Sequence, residues 1–410
     1  MFKSAKGRAF YLLTLICIIY LLDYADRKVM SGIFESVKAE WLLTDSQLGF
    51  LNGIVSLMIS VFVIPMSILV DRWSRKNMIS LMVFVWSIAT LLCAFAQNYY
   101  QLLFFRALTG LGEAAYAAAA VAMITKAFPR AHRTKYIGVY DAAAPIGSGI
   151  GIMLGGYIAE MYGWRHAFGL VAAPGIIVSL LFLTIRDYHT VQISEKLKES
   201  ISLSKEVLKD CLYLFKIPTL WFIYFAYSLI IGLNTCVIDW VPTFFQRFHG
   251  LSEKEAALKA GILAVAVLIG APLGGFISDV WEKRNKHAKI LVSAISTAIS
   301  IVFLFLAIQT TSMVLAVLFF GLFGVHTVAF LAPASSITQE VVRTNVRALS
   351  FGINVLIMNL FAFAIPVLVG KISDIFDLRF ALSLLPILGI IAIVLFILVR
   401  NQYHIDRNNL

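Results

Sequence analysis

Two short runs place charge inside otherwise apolar segments. Leu21-Leu22-Asp23-Tyr24-Ala25-Asp26-Arg27-Lys28 interrupts one such segment, and Arg106-Ala107-Leu108-Thr109-Gly110-Leu111-Gly112-Glu113 interrupts another. Ionisable groups within membrane-length segments are costly to bury and mark ion or substrate paths by default. Asp26 and Arg27 are adjacent and diverge by about 100° on a helix, whereas Arg106 and Glu113 share one face about two turns apart. Pairing is therefore expected partly between helices. Low dielectric favours the neutral acid and a nearby guanidinium favours the carboxylate, so a small rearrangement can move a proton on or off. Asp26 and Glu113 are accordingly the candidate proton-coupling acids, with Arg27 and Arg106 as their partners. The same four residues would also serve as a static salt-bridge network joining two helices. Asp23, one turn before Asp26, reads either as a second proton site or as an accessory acid. Asp141 reads either as a functional acid or as a packing residue. Asn234 and Asp239 are further candidate substrate or ion-pair contacts. Together with His326, Asn354 and Asn359, they belong to types that more often make hydrogen bonds between spans.

The elements that must position these groups are transmembrane helices. The 410 residues are 60% hydrophobic and 14% charged, with a mean hydropathy of +0.86, outside the range of a water-soluble domain. Apolar stretches of about 20 residues, each long enough to cross the bilayer as a helix, recur at 8–32, 48–70, 77–97, 99–127, 134–160, 164–185, 218–246, 257–280, 288–309, 312–338, 345–370 and 376–399. The fold class expected is all-α and integral to the membrane, with twelve spans. The basic start (Lys3, Lys6, Arg8) leads into an apolar segment that is too long and too charged for a signal core and has no small-residue cleavage site, so it reads as the first span. The four cysteines, Cys17, Cys93, Cys211 and Cys236, are scattered without disulfide or metal spacing. A net charge of +11 raises the question of nucleic acid. Most Lys and Arg, however, fall at the termini and in the even-numbered loops, which is a topology signal that places both termini in the cytoplasm. No phosphate-cradling glycine loop, and no nucleophile beside a base, points to an enzyme. No cofactor is expected beyond the proton as coupling ion.

The chain also repeats. Adding 214 carries Arg133 to Arg347, Gly138 to Gly352, Gly156 to Gly370, Arg165 to Arg379 and Ala167 to Ala381. Asp71-Arg72-Trp73-Ser74-Arg75-Lys76 after the second span matches Asp279-Val280-Trp281-Glu282-Lys283-Arg284 after the eighth. The division expected is a six-helix bundle over 1–186, a charged cytoplasmic connector over 187–216, in part an amphipathic helix on the membrane surface, and a second, pseudo-symmetric six-helix bundle over 217–410. Parallel repeats of this kind place a substrate site between the halves near the bilayer midplane, and rocking one half against the other alternates access. The first half is charged where the second is apolar, which assigns protons to the first and apolar ligand surface to the second. Asp71, Arg72, Arg75 and Asp279 are candidates for a cytoplasmic gate, because an aspartate at the matching place in both halves can form ion pairs that hold one state. Gly147, Gly149, Gly151, Gly155 and Gly156 crowd the fifth span with small residues, which permits close packing or bending.

Over essentially its whole length the chain resembles the major facilitator superfamily. Ser67-Ile68-Leu69-Val70-Asp71-Arg72-Trp73-Ser74-Arg75-Lys76 is similar to that superfamily's loop after the second helix, with Ser67 and Ser74 where glycines are usual. Within it, the chain is similar to the Spinster-like branch. Asp23 to Arg27, Leu43 to Gly49, Gly110 to Ala114, Trp240 to Gly250 and Leu378 to Leu382 carry this likeness. It departs at Asp23, where asparagine is common, and at Ile365-Pro366, where Gly-Pro is common. The resemblance implies a proton-coupled secondary active transporter of an amphiphilic anion, such as a lysophospholipid or sphingolipid-like molecule. It implies proton-linked Asp26 and Glu113, with Arg27 and Arg106 pairing with them or meeting an anionic headgroup, and it makes Tyr24 a further substrate or ion-pair candidate. A multi-pass monomer in the cell inner membrane is the corresponding expectation. The anion:cation symporter branch, which moves sugar acids with protons, has a similar cluster and is the alternative.

Overall fold

A computed structural model describes residues 5–72, 74–129, 132–185, 209–343 and 346–408, with the side chains of 5, 68, 71, 72 and 348 outside the description. The described residues form helices and no strand. Among the described residues, twelve segments are long and apolar enough to cross a membrane, from Lys6–Gly32 to Leu378–Asn408. Each overlaps one of the twelve expected spans. The ends shift by a few residues because several helices run past the apolar limit into polar turns. Of the connector, residues 187–208 lie outside the described residues, while 209–215 are helical.

The first span is α1 (Ala5–Gly32), followed by the short α2 (Phe34–Trp41) and by α3 (Asp45–Arg72) as the second span. Between α2 and α3, Leu42 adopts the left-handed conformation at φ 52° and turns the chain into Asp45. The third span is α4 (Arg75–Cys93). The fourth is broken into α5 (Tyr99–Glu113) and α6 (Tyr116–Ala127), and the fifth into α7 (Arg133–Asp141) and α8 (Ala143–Tyr162). The sixth is α9 (Trp164–Phe182). In the second half α10 (Pro218–His249), α11 (Glu253–Glu282) and α12 (Ala288–Gln309) are continuous. The tenth span is broken into α13 (Met313–Thr327) and α14 (Leu331–Glu340). Its interruption begins at Val328, which is Ala114 plus 214, so the repeat extends to the place where the helix breaks.

The chain clusters into two compact units. One comprises Met1–Val191, Ile238–Val265 and Pro366–Asp374; the other comprises Gln192–Val237, Ala266–Ile365 and Ile375–Leu410. The first unit thus takes in the later parts of α10 and of the eleventh span. Its core includes Ile16, Ile19, Met82, Trp86, Tyr116 and Phe182. The core of the second includes Leu220, Tyr224, Phe330, Ile337, Phe396 and Tyr403.

In the first unit α8 lies directly on the backbone of α1. A Cβ at Gly147 would stand 2.2 Å from the Leu21 carbonyl oxygen, and one at Gly151 would stand 2.2 Å from that of Ala25. Four residues apart, the two glycines form a groove one turn long, and α1 seats in it across the stretch that carries Asp23 and Asp26. Gly151→Val forces the helices apart and is expected to reduce the folded yield severely, read as loss of the monodisperse peak in detergent. A normal peak and melting temperature would contradict the close seat.

Candidate functional site

The first unit brings together three acids and two arginines from the first and fourth spans. Asp23, Asp26, Arg106 and Glu113 are all buried, at no more than 3% exposure. Arg27 donates to Asp23 through Nε at 3.0 Å and Nη2 at 3.2 Å, one turn apart on α1. The same Nε lies 2.9 Å from Glu113 Oε2. Its one proton is already aimed at Asp23, so Glu113 gains charge proximity without a hydrogen bond, and neither of its oxygens accepts one. Asp23 and Glu113 thus stand on the same guanidinium. Arg27 also stands over the Tyr24 ring, 5.0 Å from its centroid.

Arg106 plays a different part. Its Nη1 donates to the Asp26 carbonyl at 3.3 Å and its Nη2 to the Arg27 carbonyl at 3.2 Å, while the Asp26 carboxylate stays 3.6 Å away as an ion pair. The guanidinium therefore holds the backbone of α1 and compensates Asp26 at the same time. Thr90 of α4 donates to Asp26 Oδ2 in a short hydrogen bond, leaving Oδ1 with no hydrogen-bond donor. Glu113 ends α5, where Gly110 and Gly112 weaken the helix, so the acid sits at the break of the fourth span. Three buried carboxyls thus share two guanidiniums, of which Arg106 is buried and Arg27 is partly exposed. At plus 214 the second half carries Phe320 and Thr327 in place of Arg106 and Glu113.

Other candidates fall elsewhere. Asp141 ends α7 as an exposed residue with no ion pair among the described residues. Asn234 is buried in the second unit with its amide oxygen unpartnered, and so is Asn354. Asn359 donates to Val355 in its own helix at 2.9 Å. His326 stacks on Phe303 at 5.9 Å between ring centroids. Asp239 joins the first unit, where it accepts from Lys28 and Ser31. Of the gate candidates, the side chains of Asp71 and Arg72 lie outside the described residues. Arg75 opens α4, and Asp279 is exposed without an ion pair among the described residues.

A second polar cluster in the first unit, around the starts of α2 and α3, was not singled out by sequence reasoning. Arg247 grips Asp45 through Nη1 at 2.6 Å and Nη2 at 2.7 Å, and reaches Glu35 Oε1 through Nη2 at 2.7 Å. Lys38 and Ser373 also donate to Asp45, each at 2.5 Å. Asp374 accepts from the backbone N–H groups of Asp45 and Ser46 at 2.7 and 2.9 Å, capping α3 where its dipole favours an anion. Nearby, Arg165 forms a bidentate pair with Glu40 at 2.7 Å and 2.7 Å, and Trp164 donates to the same carboxylate. Hydrogen bonding from Arg165 holds the Glu40 carboxyl below its usual range. One signal was available in the sequence. Arg247 follows the seventh span, on the side that the positive-inside bias keeps poor in arginine, so a specific partner is the economical reason for it.

Residues 16–366 match the model of the Major Facilitator Superfamily. The chain is 26% identical over 386 residues to Protein spinster homolog 1 of Xenopus laevis, covering 90% of this chain and 73% of that protein. It is 26% identical over 281 residues to the hexuronate transporter of Bacillus subtilis, covering 67% of this chain and 65% of that protein. A crystal structure of a bacterial homologue of the human lysosomal transporter Spinster, inward-facing and unoccupied, superposes with a TM-score of 0.85 at 23% identity, covering 98% of this chain and 99% of the other. With the family match spanning most of the chain, the chain belongs to the Major Facilitator Superfamily, and within that family it is similar to Spinster proteins.

Proposed function

We propose that the chain couples proton movement to the transport of an amphiphilic anion, such as a lysophospholipid or sphingolipid-like molecule, by alternating access. The observation that supports this most directly is the charge count of the buried cluster. Among the described residues, Asp23, Asp26 and Glu113 pair only with Arg27 and Arg106, so one acid lacks a counter-ion when all three are ionised. A proton removes the surplus charge and turns one of the carboxyls into a hydrogen-bond donor. Glu113 and Asp26 are the coupling acids in this reading. Arg106 links their state to the backbone of α1, so a change of protonation can move a helix. The protein works in the inner membrane as a monomer with both termini cytoplasmic.

The test is transport in proteoliposomes under an imposed pH gradient. Glu113→Gln and Asp26→Asn each hold a site in its neutral form and are expected to abolish gradient-driven uptake while leaving exchange of substrate across the membrane measurable. Wild-type dependence on the gradient in both variants would refute the assignment. The hexuronate transporter among the relatives supports a second reading, proton symport of small sugar acids. Thermal stabilisation by lysophospholipids but not by hexuronates separates the first reading from the second, and the reverse pattern selects the symporter.

A further inference from the structure

Lys28 is a second buried cation in the first unit, on the turn after the Asp23–Arg27 pair, and the cluster described above does not use it. It is 9% exposed, and its ammonium donates to Asp239 Oδ1 in a short contact. Ser31, three residues on and on the same face of α1, donates to the same oxygen at 3.0 Å. Asn52 of α3 donates to Ser31 Oγ at 3.4 Å. The four side chains form one relay, Asn52 to Ser31 to Asp239 to Lys28, and each is less than a tenth exposed.

The relay is incomplete at both ends. An ammonium has three N–H donors, and Lys28 uses one of them. At the other end the Asn52 amide oxygen is buried and accepts nothing. Joining α1 to α10 does not require this arrangement, since a well-packed apolar pair holds helices at least as firmly as a buried ion pair. What the open ends fit is a ligand with an anionic oxygen for Lys28 and a hydroxyl hydrogen for Asn52.

We propose that Lys28 and Asn52 form a binding subsite for an anionic group flanked by a hydroxyl, with Asp239 as the internal carboxylate that holds Lys28 in position while the subsite is empty. This rests on the reading of the protein as an anion carrier. Lys28 has donors to spare, so the anion joins Asp239 on the ammonium, and Asp239 then opposes the ligand by like charge. The two charged residues therefore act in opposite directions on affinity, which a purely structural tie does not predict.

Binding to purified full-length protein in detergent tests this, with oleoyl lysophosphatidate and glucuronate as anionic probes and oleoyl monoglyceride as the neutral control. Asp239→Asn is expected to tighten the anionic probe that binds wild type by about fivefold, since it removes a like charge and leaves Lys28 in place. Lys28→Met leaves Asp239 buried without its cation, so the fold is protected by pairing the change with Asp239→Asn. That double variant is expected to weaken the anionic probe by about thirtyfold with the monoglyceride unchanged. Weaker anion binding in Asp239→Asn, or wild-type affinity in the double variant, overturns the subsite and leaves the carrier reading standing. Wild type that binds neither anionic probe overturns both.

Discussion

Arg106→Leu is expected to be among the most destabilising single changes in the first unit. The side chain has no exposure, bonds two carbonyls of α1 and is the nearest cation to Asp26. Leucine fills part of the space but leaves the Asp26 carboxylate with Thr90 alone. Removing one partner of a buried pair costs about 3–5 kcal/mol, a large part of a typical net stability. Lysine keeps the charge but has no planar fork to reach both carbonyls, so Arg106→Lys is expected to rescue only part of the loss. Arg106→Leu combined with Asp26→Asn removes the stranded charge and is expected to melt higher than Arg106→Leu alone, without regaining gradient-driven transport. Thermal unfolding of the purified variants reads all three. An Arg106→Leu melting temperature equal to wild type would mean that Asp26 is not compensated by this arginine.

The second large effect concerns Arg247. Its guanidinium binds Asp45 in bidentate fashion and Glu35 beside it, and the Asp45 side chain is 3% exposed. Arg247→Gln is expected to cost about 3 kcal/mol, since charge-assisted hydrogen bonds to a nearly buried carboxylate are lost together. Lys38 and Ser373 remain on Asp45 and keep the loss below that of a fully stranded charge. A double-mutant cycle with Asp45→Asn isolates the contact. A coupling of about 1 kcal/mol or more is expected for groups in direct contact, whereas additive effects would mean that the pair is geometrically present but energetically silent.

Much of the fold was legible in the order of residues because lipid restricts what a chain can do. A span must be a helix of about 20 apolar residues, so the twelve segments follow from hydropathy alone. Buried ionisable residues stand out against such a background, which is why Asp23, Asp26, Arg27, Arg106 and Glu113 could be singled out and why cross-helix pairing could be expected from their angular spacing. The repeat at 214 was visible in the same way, because arginines and glycines are scarce enough for a matched register to be noticed.

The pairing itself was decided by the tertiary structure. Spacing along a helix gives the face on which Arg27 lies, but only the seat of α1 in the Gly147–Gly151 groove and the break of the fourth span at Glu113 bring that face against both Asp23 and Glu113. Thr90 and Asn52 are ordinary residues in apolar helices, and nothing local distinguishes them from any other threonine or asparagine. Asp45 and Arg247 are 202 residues apart, and Lys28 and Asp239 are 211 apart. Hydropathy determines that a segment enters the membrane, because that free energy is summed residue by residue. Which charge meets which depends on helix rotation and depth, set jointly by contacts from distant parts of the chain, so only the folded packing decides it.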